Sequence, residues 1–154
     1  MSNETETLAM NIARVLITKH EGKVERIYAD TEGIPTGGIG HAFLIGSWLP
    51  MYIWELIFEE DFARARIAAE ELMSEYEIPN PGLGRKVVLI DMSFNLGKVR
   101  LRNFKKMWAA LKVMNYDAAA TEMLDSKWAT QVGKRARDLA FYMRTGRLPN
   151  VKEA

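Results

Sequence analysis

Glu21, Asp30, Thr36 and His41 fall within one short stretch, Glu-Gly-Lys-Val-Glu-Arg-Ile-Tyr-Ala-Asp-Thr-Glu-Gly-Ile-Pro-Thr-Gly-Gly-Ile-Gly-His. Their side chains are two carboxyls, a hydroxyl and an imidazole. A carboxylic acid can give a proton to a leaving atom, and a carboxylate can activate water. A threonine hydroxyl both donates and accepts, as a water-positioning group must. The types therefore suit general acid–base chemistry, provided that the chain folds back between them. A surface hairpin with glycines only at its turns would account for the glycines but not for the spacing of the four residues.

The stretch has the marks of such a fold-back. Arg26 to Asp30 is strand-like, Thr31-Glu32-Gly33 is a turn signal, and Ile34 to Gly38 returns, with Pro35 tolerable only at an edge. Glycines at 22, 33, 37, 38 and 40 imply tight turns and a backbone that a ligand can approach. Asp30 ends the first strand and Thr36 lies on the second, so the two are expected to face each other across the ribbon. Before the ribbon, Leu8, Ile12, Val15 and Leu16 mark one face of a helix over about 6–19, with Asn3 or Thr5 as its cap. Glu21 follows its C-terminal end, a mildly hostile place for an anion.

Beyond His41, residues 42–46 read as an apolar connector. Pro50 suits a helix start. A long periodic segment runs from Met51 to about Tyr76, with Ile53, Ile57, Phe58, Ala65, Leu72 and Tyr76 as its buried stripe. Pro79-Asn80-Pro81-Gly82 ends it. Val87 to Ile90 could be a strand by composition, but 86–96 continues without a turn signal and is read as a buried helix closed by Gly97. Helices follow over 103–114, 116–124 and 133–145, and Gly146 stops the last. The fold class is α+β: mostly helical, with one small antiparallel ribbon.

The chain has 154 residues, enough for one domain or two small lobes sharing a long helix. Net charge is +1, too balanced to point to nucleic acid. Lys98, Arg100, Arg102, Lys105, Lys106 and Lys112 form a local basic cluster, read either as a solvated face or as a modest attraction for an anionic polymer. There is no cysteine, hence no disulfide or thiol catalysis, and two histidines are too few for a histidine-rich metal site. Met1 to Glu6 is polar and acidic rather than the basic start of a secretory signal, and Arg14 interrupts any span over 8–18.

Glu21-Gly, Tyr28-x-Asp30-Thr-Glu-Gly and Thr36-x-Gly-Ile-Gly-His41 resemble the catalytic segment of the T-even-type phage lysozymes, glycoside hydrolase family 24. The resemblance continues through Asp91-Met-Ser-Phe-Asn95-Leu-Gly97, Asn103-Phe104, Asp117-Ala-Ala, Ser126-Lys-Trp128, Arg135-Ala-Arg137 and Arg144-Thr-Gly146. It is weakest over 42–60, where the chain is shorter, so a trimmed upper lobe is expected. The implied architecture is a ribbon lobe at about 20–60, a connecting helix at 51–77, and a helical lobe at 82–148 with the N-terminal helix added to it.

What this family cleaves is a glycosidic bond, which needs one acid at the leaving oxygen and a second carboxylate that activates water, attacks, or steadies an oxocarbenium-like centre. The resemblance gives Glu21 the acid's part and Asp30 the second carboxylate's, with Thr36 holding the water. Asp30 is also suited to an Asx turn. His41 matches a structural histidine paired with an aspartate, here Asp61. Arg135 matches an arginine that reaches the glutamate, or is an ordinary surface cation. Gly38, Ala42, Phe94, Asn95 and Phe104 are expected to bind substrate, with core packing an equal reading for Phe94 and Phe104. Trp128 is assigned to the core; Trp48, Trp54 and Trp108 are left open, and His20 has no role.

The resemblance thus implies a muramidase that cuts the β-1,4 bond between N-acetylmuramic acid and N-acetylglucosamine in peptidoglycan, by inversion and without cofactor or metal. It implies a monomer without a membrane anchor, held in the host cytoplasm until a separate pore, a holin, admits it to the periplasmic wall. A lytic transglycosylase and a non-catalytic wall-binding virion protein are the rivals; Asp30 and Thr36 argue against the first, and intact Glu21, Asp30 and Thr36 against the second.

Overall fold

The structure, a computed structural model, describes residues 12, 14–19 and 21–148. The expected caps at Asn3 and Thr5, the start of the first helix with Leu8, and His20 lie outside the described residues. The chain divides into two compact units, Met1–Pro50 and Met51–Ala154.

In the first unit residues 14–19 are helical, and the Gly22 N–H donates to the Thr18 carbonyl at 3.0 Å. Three strands follow, β1 (Val24–Ala29), β2 (Pro35–Gly38) and β3 (His41–Ala42), in an antiparallel sheet ordered β1-β2-β3. The third strand corrects the reading of residue 42 as connector. Ile39 and Gly40 turn the chain back, so that His41 pairs with Gly37 and Ala42 with Thr36.

The register also corrects the expected facing of Asp30 and Thr36. Thr36 lies opposite Tyr28, and Ala29 opposite Pro35, after an irregularity between Val24 and Tyr28. Asp30 sits one step beyond the last pair, with its N–H donating to the Ile34 carbonyl at 3.0 Å. Asp30 and Thr36 are therefore diagonal neighbours on one face, a separation typically of about 7–8 Å at Cα.

The second unit is all helical: α1 (Met51–Glu75), α2 (Leu83–Arg102), α3 (Lys105–Lys112), α4 (Tyr116–Leu124), α5 (Lys127–Val132) and α6 (Lys134–Thr145). The long periodic segment, the apolar run at 87–90 and the last three expected helices all form helices. The short α5 escaped the sequence reading; Ser126 caps it by accepting from the Ala129 N–H at 3.1 Å. Gly97 does not close α2 but breaks it, at φ 74° and ψ 159°. That conformation is essentially restricted to glycine.

The core of this unit gathers Leu72, Leu89, Met92, Leu101, Trp108 and Met143, all fully buried, among others. Tyr76 stacks on Trp108 at 5.2 Å between centroids and donates to the Arg102 carbonyl. The stripe expected on α1 is buried only in its second half, at Ala65, Ala69, Leu72 and Met73. Ile57 and Phe58 keep 41% and 50% of their surface. At that end α2 offers Phe94, Val87 and Ile90 around an open groove of about 350 Å³ instead of a covering layer.

Three of the six cations of the basic cluster are paired along the seam between α1 and its neighbours. Lys98 pairs with Glu71, Arg102 with Glu75, and Lys112 with Glu77, which follows α1. Among the described residues no helix is long and apolar enough to cross a membrane.

Candidate active site

Glu21 ends the first helical segment, and its carboxyl lies against the β2–β3 turn. A Cβ built on Gly40 would stand 2.5 Å from Glu21 Oε2 and 2.8 Å from the carboxyl carbon, and Gly40 itself sits at φ +68°. A side chain at Gly40 would push the Glu21 carboxyl aside, and the backbone angle favours glycine. The turn therefore seats the carboxyl, which stays exposed to solvent. In the sequence Gly40 stands only as one of several turn glycines. Its place directly before His41 was the available signal.

Asp30 commits one of its two carboxylate oxygens to its turn. Its Oδ1 accepts from the Glu32 N–H at 2.8 Å and from the Ile34 N–H at 2.9 Å. The Asx turn is thus real, and its bonds fix the side chain. Oδ2 takes no partner among the described residues, and this oxygen remains available to a water or a ligand. Thr36 is 6% exposed, and its hydroxyl donates to the Ile34 carbonyl at 3.1 Å. With its proton committed to the backbone, Thr36 Oγ1 can act on a further group only as an acceptor. Gly38 closes β2 opposite Val24, and His41 is exposed and meets Phe43 edge-on at 5.0 Å.

The remaining expected residues belong to the second unit. Asp61 pairs with Arg64 one turn on, at 3.2 Å. Arg135 is held by Asp91, whose Oδ1 accepts from Nε at 2.8 Å and lies 2.8 Å from Nη2 in an ion pair. Asp91 is the partner that sequence reasoning missed, although it stands in the same quoted motif as Phe94. Phe94 keeps 43% of its surface and tilts against Phe58 at 5.8 Å. Asn95 Oδ1 accepts from the Trp128 indole N–H at 2.7 Å, an arrangement that buries Trp128 and leaves the amide NH₂ of Asn95 to donate. Phe104 meets Trp128 edge-on and borders a cavity of about 340 Å³ with Lys105, Lys106 and Glu122.

Trp108 joins Trp128 in the core, with its indole N–H donating to the Leu101 carbonyl, whereas Trp48 and Trp54 are exposed. Among the described residues no group of three or more histidine, cysteine, aspartate or glutamate side chains could hold a metal ion.

No family model matches the chain. It is 31% identical over 142 residues to a protein named "Probable T4-type lysozyme 2" from Dictyostelium discoideum, a match that covers 89% of this chain and 81% of the relative.

Proposed function

The chain belongs to the T4-type lysozyme family, and from that premise we propose that it is a muramidase of bacterial peptidoglycan. Glu21 acts as the acid at the glycosidic oxygen, and Asp30 with Thr36 holds the water that attacks the anomeric carbon. The observation that carries this reading is the seat of Glu21: its carboxyl is lodged on the Gly40 turn, in the sheet that also fixes Asp30 by one oxygen and leaves the other open. A water at that open oxygen could also donate to Thr36 Oγ1, which can act only as an acceptor there. This favours inversion, in which the second carboxylate works through water instead of bonding the sugar.

The setting follows from the resemblance of residues 21–41 to the phage enzymes. The protein serves host lysis by a bacteriophage, waits in the host cytoplasm as a monomer, and depends on a holin to reach the wall. The test is the turbidity clearing of permeabilised Gram-negative cells. Glu21→Gln cannot deliver a proton, and its clearing rate is expected to fall about 100-fold or more, with the helical circular dichroism retained. Clearing at the wild-type rate would remove Glu21 from the mechanism.

A further inference from the structure

From Ala42 to Pro50 the chain carries no charged side chain, and most of the residues are apolar: Ala42-Phe-Leu-Ile-Gly-Ser-Trp-Leu-Pro50. The segment has a root and a tip. Phe43 is the root: its N–H donates to the Pro35 carbonyl at 2.7 Å, and its ring meets His41 edge-on. Beyond it the Ser47 N–H donates to the Leu44 carbonyl at 3.0 Å, which closes a tight turn with Ile45 and Gly46 at its apex. Gly46 stands at φ +88°, the left-handed value that the third place of a type II turn requires. The turn holds Ile45 outermost, 108% exposed, with Leu44 at 54% and Trp48 at 82% beside it.

Large apolar side chains gathered on an exposed tip mark a surface that meets a partner. The chemistry of the turn selects the kind. A protein interface surrounds its apolar centre with a polar rim and makes about one hydrogen bond per 100–200 Å². This turn has no such rim: Ser47 and the Trp48 indole are its only hydrogen-bonding side chains, and the Leu44 carbonyl is already bonded. Its shape is convex, so a protein would have to supply a fitted pocket. A bilayer gives apolar depth to any convex shape, and tryptophan settles at its headgroup level, with the ring on the apolar side and the N–H on the wet side. Charge does not oppose the approach: among the described residues of this unit Arg14, Lys19, Lys23 and Arg26 balance Glu21, Glu25, Asp30 and Glu32.

We propose that the turn over 44–48 is a membrane-docking tip, which dips Leu44, Ile45 and Trp48 into the interface of a lipid bilayer. A segment this short cannot cross a bilayer, which takes about 20 helical residues, so the contact is peripheral and reversible. The turn follows directly on β3, in the unit that carries Glu21 and Asp30. Docking therefore holds the acid–base sheet at a membrane surface. The inference does not rest on the muramidase reading, because it concerns where the chain rests and not what it cleaves.

The test is cosedimentation of the full chain with phosphatidylcholine vesicles, joined to quenching of tryptophan fluorescence by brominated acyl chains. Binding with quenching is expected, and Trp48→Phe should lose the larger part of the quench. Ile45→Ser changes a fully exposed side chain, so its circular dichroism should be retained while it binds about tenfold more weakly or worse. Because the insertion is apolar, added phosphatidylglycerol or about 0.5 M salt should change binding less than about twofold. No binding, equal binding by Ile45→Ser, an unchanged quench in Trp48→Phe, or binding only to anionic vesicles at low salt would overturn the proposal. So would a dimer that Ile45→Ser dissolves in the absence of vesicle binding, which would make the turn a contact between copies. Wall clearing judges the muramidase reading separately. Clearing without vesicle binding sinks the docking tip alone, and vesicle binding without clearing upholds the tip and sinks the enzyme.

Discussion

The two oxygens of Asp30 stand in different positions. Oδ1 ties the turn through Glu32 and Ile34, and Oδ2 is open. Asparagine keeps a carbonyl oxygen for the two N–H donors but loses the negative charge. Asp30→Asn is therefore expected to shift stability by about 1 kcal/mol or less, while wall clearing falls about 100-fold or more; equal loss of both would make Asp30 a turn residue only. The inverting role has its own readout. The first product from the β-linked substrate should appear as the α-anomer in proton NMR, and an initial β-anomer or a sugar ester on Asp30 would contradict a water held by Thr36. That Glu21, Asp30 and Thr36 fall on and beside one ribbon was legible from the sequence. Their register was not, because the length of the turn over 30–34, closed by the Asp30 N–H to the Ile34 carbonyl, sets Thr36 opposite Tyr28.

Among the elements, α1 carries the clearest division of labour. Its second half faces the core through Ala65, Ala69 and Leu72, and a glutamate series from Glu71 to Glu77 meets cations of α2 and α3. The cluster of cations was visible in the sequence; the pairing of three of them was not, because the pairs join residues distant along the chain. One of these pairs is open to titration. A hydrogen bond from Lys112, reinforced by its charge, holds the Glu77 carboxyl below its ordinary range, with burial opposing slightly. A lowered folded value means that the contribution is present above the unfolded value of about 4.3 and is lost as pH falls through the folded one. Lys112→Met should therefore lower the urea midpoint slightly at neutral pH, less so in high salt because the pair is exposed, and the difference should vanish in strong acid. A difference that persists in acid would place the effect in packing by the lysine stem. Gly97 gives the other lesson of this scale: read as a stop, it instead lets α2 resume at a new angle.

The molecule as a whole joins a small sheet unit that carries acid–base groups to a helical unit that carries most of the core. The sheet and the helices themselves were legible, because strand-like and turn residues dominate 24–42 whereas helical periodicity dominates from 51 onward. The extent of burial was harder to read. Ile57 and Phe58 have the spacing of core residues, but a stripe is buried only where a neighbouring element covers it, and α2 leaves that end as an open groove. The seat of Glu21 on Gly40 became apparent only once the third strand was known, since it is the return into β3 that brings the turn against the carboxyl. All of these features serve one claim, that the chain hydrolyses the glycan of peptidoglycan. Mass spectrometry of peptidoglycan digested with the pure protein tests that claim most directly. Fragments with reducing N-acetylmuramic ends are expected. Anhydro-muramic ends would make the protein a transglycosylase, and the absence of any released fragment would make it a binder; either result contradicts the account.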